Sequence, residues 1–594
     1  MKKPFLIVSI FFSIIIVTLL FPRKITHAII LDSTPNYTLI YTNNKIKKIK
    51  FKNSNLPKYT VADFKFNCFK VYHCQVATPS SNRILRKTSK KYELEHIGSI
   101  NLSKNPSFYK IDENNNINIA TSKDIIVGKN NVKSFFNKNE LKTFVIYPMK
   151  DYSNIRVGIS DNNFTSIYHK EIYLQFNSPG KIYNKTENIH LDIPKHYTIK
   201  FKFSKGKINI YFNENPVISK NRLYISGGNI KIANIKRGSP AFNPSFNGIL
   251  ELYPSEKGLI IINEVKVEEY LTKVVPSEMP VWGGIEALKC QAIAARTYAI
   301  SDMLSNRYST LGFHVDDSTK CQVYNNILPQ NISNKAVRET AGIIMTYNSI
   351  PIDAKYYSTS CGTSVNYQDI WFKSDGSSDV KPYLKTNVFF NDNTTLPSTE
   401  QGWLKFYKNK DIDAYDKNSP YFRWNVSFDK KTLEDNLNYN LKQIKNNSPD
   451  YITLFKNNNS NKKLKRFPKK LKNLKNIQVL SRSDGGNIIE ISFLFDNAIV
   501  NVKNDSFIRR SFKSTSPPKI YLQNEKFIDN WFTLPSSFFS IEVTEDYFTI
   551  YGGGYGHGVG MSQYGAMCLS KKNIDFKTIL NTYYKDINFT MLYK

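Results

Sequence analysis

The sequence predicts an α+β protein, with one or more mostly-β or α+β modules in its N-terminal part and a larger α+β domain with a cleft after them. Three observations lead there. From Leu39 to Tyr253, short runs of β-branched and aromatic residues alternate with polar ones between Asn/Lys/Ser turns, as half-buried antiparallel strands do. From Ile285 to Met303 the apolar period becomes helical, with Leu288, Ala292, Ala295 and Ala299 on one face. Beyond a Lys/Asn-rich stretch, strand-like alternation resumes from Ile477 to Arg510.

The first segment to justify is the N-terminus. Lys2 and Lys3 precede an apolar run from Phe5 to Phe21, followed by Pro22-Arg23-Lys24 and the small-residue pattern Thr26-His27-Ala28. Residues 1–28 therefore read either as a signal peptide cleaved after Ala28 or as an N-terminal membrane anchor. Both export the rest of the chain, which carries no later apolar stretch long enough to span a bilayer, so an extracytoplasmic location is expected. Lys+Arg number 82 against 49 Asp+Glu in 594 residues, a net charge of +33. That balance suits polyanions or anionic surfaces. Export excludes intracellular nucleic acid as the partner, and the even mixing of Lys with Asn and Ile makes part of the charge a compositional bias.

Residues 39–180 then read as a small α+β or mostly-β module of unknown role, and residues 196–246 as a β-rich lead-in: YTIKFKF, KINIYF and RLYISGG. Six cysteines are too few for a disulfide scaffold at this length. Cys68 and Cys74 lie close enough in sequence to bridge.

The last domain spans residues 247–594. Leu259 to Asn263 is a buried-strand run, and Pro276-Ser277-Glu278-Met279-Pro280 reads as a loop with a proline at each end. Gly283-Gly284 and the Ala-rich helix follow. Glu278 is thus held on a rigid loop ahead of a packed helix, a setting that suits an acid/base carboxylate as well as a plain structural role. Far downstream, Gly552, Gly553, Gly554, Gly556, Gly558, Gly560 and Gly565 crowd into Tyr551–Ala566, in a chain with only 26 glycines. His557 stands among them, and taken alone it reads as the satisfied histidine of a tight turn.

Set side by side, VVPSEMPVWGGIEALKCQAIAARTYAI (274–300) and GYGHGVGMSQYGA (554–566) resemble the SpoIID/LytB family, named for a stage II sporulation peptidoglycan-degrading protein and an amidase enhancer. LIIINEVKVEEYL, KCQVYNN, AKYYSTSCGTSVNYQDIWF, KPYLKT, YFRWNVSF and TILNTYYKDI resemble it too, in the same order. The resemblance implies peptidoglycan glycan strands as the partner and lytic transglycosylation of the MurNAc–GlcNAc bond as the activity. Its second branch implies a non-enzymatic, wall-binding enhancer of an N-acetylmuramoyl-L-alanine amidase.

The chemistry makes sense of a single carboxylate. An ordinary glycosidase needs two. In a lytic transglycosylase the MurNAc 6-hydroxyl is already tethered near the anomeric carbon and attacks it, so one group suffices to protonate the leaving oxygen and then deprotonate that hydroxyl. The resemblance gives this role to Glu278. It gives substrate-binding roles to Gln291, Arg296, His557, Gln563 and Tyr564, with Arg296 set against the MurNAc lactyl carboxylate. A structural role is the alternative for each of these five.

Some members keep cysteines that bind zinc or pair with each other, at positions resembling Cys321 and Cys361, with His314 nearby. The zinc-binding version carries a further cysteine where Val315 or Asp316 stands here. No cofactor is therefore expected; His314, Cys321 and Cys361 form an incomplete zinc set, beside a Cys321–Cys361 disulfide or two free thiols. Residues 442–476 read as an exposed basic insertion.

Overall fold

The structure is a computed structural model that describes residues 20–593, apart from 43–44, 52–54, 69, 138, 213–215, 329, 373–374 and 458–461. It is mixed and strand-rich, and the chain divides into two compact units. The first runs to Tyr270 and includes Asp302–Ile327; the second combines Leu271–Ser301 with Leu328–Lys594.

The first unit opens on a five-stranded sheet in the order Lys45–Ile49, Thr38–Thr42, Arg23–Ser33, Val61–Phe66, Val71–Val76. Its middle strand is Arg23–Ser33, in which Ala28, Ile29 and Ile30 are wholly buried. Asp63 Oδ1 accepts the His27 N–H at 2.8 Å, and His27 Nδ1 lies 2.9 Å from the Thr143 hydroxyl. This corrects the expected cleavage after Ala28. A cut there would divide a central strand and detach its pairing with Val61–Phe66. The folded unit begins by Arg23, and most of the Phe5–Phe21 run lies outside the described residues. Among the described residues no helix is long and apolar enough to cross a membrane.

A second correction concerns the expected boundaries at residues 180, 196 and 247. One seven-stranded sheet takes strands from both sides of all three: His190–Ile193, Gly180–Asn184, Leu223–Gly227, Ile249–Pro254, Leu259–Lys266, Asn154–Ile159 and Val315–Asp316, in that order. Buried charges reinforce the join. Arg156 bridges Glu251 at 2.7 Å and Glu264 at 2.6 Å, while Arg222 bridges Glu251 at 2.7 Å and Glu93 at 2.8 Å. Charges this deep persist only when paired in this way. Burial pushes the Glu251 carboxyl up, but Arg156 and Arg222 overcome it and hold it at about 2.

In the second unit the segment expected as a loop is helical. The Val267–Glu278 helix, which leads into this unit, runs through Pro276. The Ser277 hydroxyl donates to the Lys273 carbonyl at 2.6 Å, and the Met279 N–H reaches Val275 O at 2.9 Å, so helical geometry continues past the proline. Pro280 then caps a single tight turn, Val281–Gly283. The next helix, Ile285–Ser305, is buried on every side rather than on one face: Cys290, Gln291, Ile293, Ala294 and Arg296 are as inaccessible as Leu288 and Ala292.

Two sheets carry the rest of this unit. One has the order Phe527–Ile528, Ile520–Leu522, Trp424–Asp429, Tyr547–Gly552, Phe539–Val543, and the other Ile452–Lys456, Ala498–Lys503, Ile488–Phe495, Leu474–Arg482. Ile444, Ile452, Leu454, Leu471 and Leu474 belong to their shared core. The stretch 442–476 is therefore not a detached insertion. Buried apolar anchors alternate in it with exposed lysines such as Lys469, Lys470 and Lys472.

Candidate functional site

Glu278 is the last residue of its helix and is half-buried. What fixes its main chain comes from the glycine-rich run. After the Tyr547–Gly552 strand the chain turns through Gly554–Gly560, forms the short strand Met561–Ser562 and starts the helix Gln563–Lys571. Gln563, its first residue, donates from Nε2 to the Glu278 carbonyl at 3.0 Å and lies 3.2 Å from Gln291 Oε1. Gly283 lets the two elements close up: a Cβ there would sit 2.5 Å from the Met567 side chain. The two motifs meet, and Gln291 joins them.

Between them lies the segment AKYYSTSCGTSV. Tyr356–Tyr357 pairs in parallel with Met561–Ser562. Thr359 and Tyr555 exchange two backbone hydrogen bonds of 3.1 and 2.8 Å, and the Tyr564 N–H reaches Ser358 O at 3.0 Å. Gly560, at φ +77°, faces the Lys355 carbonyl so closely that no side chain fits.

Beneath this lies Asp416, which sequence reasoning missed. Its Oδ1 accepts the Ser360 N–H at 2.8 Å and the hydroxyl of Ser562, the N-cap of the Gln563–Lys571 helix. Burial is the main reason its carboxyl is pushed up to about 7. In sequence Asp416 is one acid among the Lys/Asp residues 409–417, and nothing there marks it as buried.

The other expected site residues divide sharply. Gln291 and Arg296 are both wholly buried, which corrects their assignment to substrate contact. Gln291 serves Gln563, and Arg296 donates to the carbonyls of Ile343 at 3.1 Å and Val337 at 3.4 Å. His557 packs edge-on to Trp371 and tilted against Tyr357, at centroid distances of 4.9 and 5.6 Å, and its Nδ1 accepts the Val559 N–H at 3.1 Å. Burial first, then the cations of Lys355 and Arg509, lower its pKa to about 3. It is a neutral imidazole that holds the turn. Tyr564 is half-exposed, with its ring 6.1 Å from that of Trp282.

The sulfur residues are apart in function as well as in sequence. Cys321 belongs to the first unit, where it contacts Arg307, Asp302 and Tyr308; burial, with Asp316 and Asp302, pushes its thiol up to about 12. Cys361 belongs to the second, buried beside Thr363 Oγ1 at 3.4 Å. His314 is wholly engaged in the first unit: Nδ1 accepts the Arg156 N–H at 3.2 Å and Nε2 lies 2.9 Å from Val127 O. All six cysteines are free thiols, so the expected pairs Cys321–Cys361 and Cys68–Cys74 are not formed. Among the described residues no three His, Cys, Asp or Glu side chains are gathered as a metal site, and the donors of His314 are already spent on the backbone.

Comparison with known proteins bears on this geometry. The family model described as Stage II sporulation protein matches residues 255–347, the stretch that holds Glu278, Gln291 and Arg296. The amidase enhancer of Bacillus subtilis is 28% identical over 324 residues, 54% of this chain and 40% of that protein. Stage II sporulation protein D of Bacillus amyloliquefaciens is 37% identical over 139 residues, 21% of this chain and 39% of its own. The chain belongs to the SpoIID/LytB family. An uncharacterised protein of Brachyspira hyodysenteriae is 26% identical over 396 residues and is covered over 85% of its length, whereas the two named relatives are spanned over about two fifths of theirs. Residues 453–560 match a separate domain family of unknown function, which takes in the four-stranded sheet and the start of the glycine-rich run. The SpoIID/LytB motifs thus continue through the second unit beyond the stretch matched by the family model.

Proposed function

We propose that this chain is an exported cell-wall-remodelling protein that cleaves MurNAc–GlcNAc bonds in peptidoglycan glycan strands by lytic transglycosylation. The observation that carries the reading is the bond from Gln563 to the Glu278 main chain, which holds the one carboxylate of the SEMP motif against the GMSQYGA motif. Glu278 protonates the leaving glycosidic oxygen and then takes the proton of the MurNAc 6-hydroxyl as that oxygen closes a 1,6-anhydro ring. Its place at the carboxyl end of a helix supports the first step, because the negative end of the helix dipole favours an uncharged carboxyl. Gln563 and Gln291 position it, His557 holds the turn, and Tyr564 faces the sugar across a cleft between the motifs. Zinc has no part in this reading.

The N-terminal segment, ending before Arg23, directs export or anchors the protein at the membrane. A second reading, an enhancer of a cell-wall amidase, is favoured by the longer similarity to the amidase enhancer, 54% of this chain against 21% for the sporulation protein. Incubation of purified peptide-free glycan strands with the protein, followed by mass spectrometry, separates the two. New 1,6-anhydroMurNAc ends support the enzyme; intact strands, with faster amidase turnover in its presence, support the enhancer.

A further inference from the structure

Trp282 is 57% exposed, on the tight turn that links the Glu278 helix to the buried helix. An indole left in water on a rigid turn has a large apolar face available to a ligand. It does not stand alone. Tyr564, next to Gln563, meets it edge-on. On the other side Tyr421 and Tyr555 stack with centroids 4.5 Å apart and planes within 15°, and Tyr555 is 43% exposed. Tyr564 lies close enough to Tyr421 to raise its phenol pKa, after burial and Tyr555. The four rings thus make a row beside the Glu278 main chain, all within the second unit. Exposed Lys571, at the end of the Gln563–Lys571 helix, sets its Nζ 4.9 Å from the Trp282 ring centroid.

We infer that Trp282, Tyr564, Tyr421 and Tyr555 form a shelf on which consecutive sugar rings of a glycan strand stack, and that Lys571 reads the substituent on the lactyl group of MurNAc. Pyranose rings present flat C–H faces to aromatic faces, while their hydroxyls keep the rim wet, so a row of rings suits a neutral polysaccharide better than an apolar peptide. Lys571 supplies the discrimination. A strand stripped of peptide carries a free lactyl carboxylate, which an ammonium beside the Trp282 ring attracts; an amide-linked peptide removes that charge and adds bulk. The role assigned from sequence to Arg296 passes to a lysine that solvent can reach. This inference rests on the reading of the site as one that binds glycan strands.

The test uses full-length Glu278→Gln protein, in which substrate is not consumed, titrated with peptide-free glycan strands and with a GlcNAc oligomer that lacks lactyl groups. Trp282→Ala and Tyr555→Ala are each expected to weaken both ligands about tenfold. Lys571→Met is expected to weaken the peptide-free strands by about three- to tenfold and to leave the GlcNAc oligomer unchanged. Trp282→Tyr, which keeps a ring, should recover most of the loss and shows that the alanine variant is folded. Equal effects of Lys571→Met on both ligands, or none on either, overturn the role of Lys571. Wild-type protein that cleaves strands, with Trp282→Ala and Tyr555→Ala cleaving at unchanged KM, overturns the shelf alone. Wild-type protein that neither binds nor cleaves strands overturns the functional reading, and the shelf with it.

Discussion

Gln563 donates its side-chain amide to the main-chain carbonyl of Glu278 at 3.0 Å, across 285 positions of sequence. The same amide lies 3.2 Å from Gln291 Oε1, on a helix buried all round. Three elements are therefore pinned at one buried point next to the proposed acid.

Gln563→Leu keeps most of the side-chain volume and removes both bonds. Because Gln563 acts through Glu278 and not on substrate, kcat should fall by about 10- to 100-fold with KM changed less than about threefold. The buried Gln291 amide loses its partner as well, for about 1–3 kcal/mol of stability. Steady-state kinetics on peptide-free strands and urea unfolding give the two numbers. A rise in KM with kcat intact would contradict the positioning role.

Asp416 gives the second unit a pH dependence of its own. Its folded pKa, about 7, lies above that of an unfolded carboxyl, so the folded state binds the extra proton between the two values. Its contribution is fully present below about pH 4 and is lost as pH rises through about 7. In Asp416→Asn, a neutral amide at every pH, the melting temperature should vary less between pH 4 and 8 than in wild type. An unchanged profile would show that Asp416 does not titrate in that range.

The buried network of the first unit slopes the other way. Glu251 is held at about 2, so its contribution is present above about pH 4.5 and disappears as pH falls toward 2. Arg156→Met removes one partner and leaves Glu251 and Glu264 short of a cation, which should cost about 3–5 kcal/mol in urea unfolding at pH 7. The double variant Arg156→Met/Glu251→Leu should recover part of that loss. A single variant as stable as wild type would mean that the network carries no net charge interaction.

The cysteines make a chemical prediction. Cys361 is buried and the Cys321 thiol is pushed up to about 12, so both should react slowly with iodoacetamide in the native state at pH 8, and quantitatively in urea. Reductant should leave the melting temperature unchanged. Recovery of a Cys321–Cys361 peptide from unreduced digests would contradict the free thiols.

How far the site could be read from sequence depends on what fixes each residue. Glu278, Gln563 and the glycines stand in long contiguous motifs, and their meeting follows from motif order alone. Gln291 and Arg296 were misassigned because an Ala-rich helix buried all round leaves the same apolar period as one buried on a single face. Pro276 masked the helix that ends at Glu278, since the bonds that carry it past the proline, from Ser277 and Met279, depend on local geometry rather than residue type. Asp416 and the row of Trp282, Tyr564, Tyr421 and Tyr555 are assembled from distant stretches. The one local sign was Trp282, a large aromatic set between Pro280 and Gly283 where a turn needs none. The strand Arg23–Ser33 was hidden by its resemblance to the end of a signal peptide.

Glu278→Gln tests the central claim most directly. The substitution preserves shape and most hydrogen bonding but cannot cycle a proton. Strand binding and the melting temperature should be kept, while turnover falls by about 10²- to 10⁴-fold. Mass spectrometry of the wild-type products should show 1,6-anhydroMurNAc ends, as attack by the tethered 6-hydroxyl requires. Reducing ends formed at a Glu278-dependent rate would indicate attack by water and a second carboxylate. Intact strands with wild-type protein, together with amidase stimulation that Glu278→Gln preserves, would contradict the account outright.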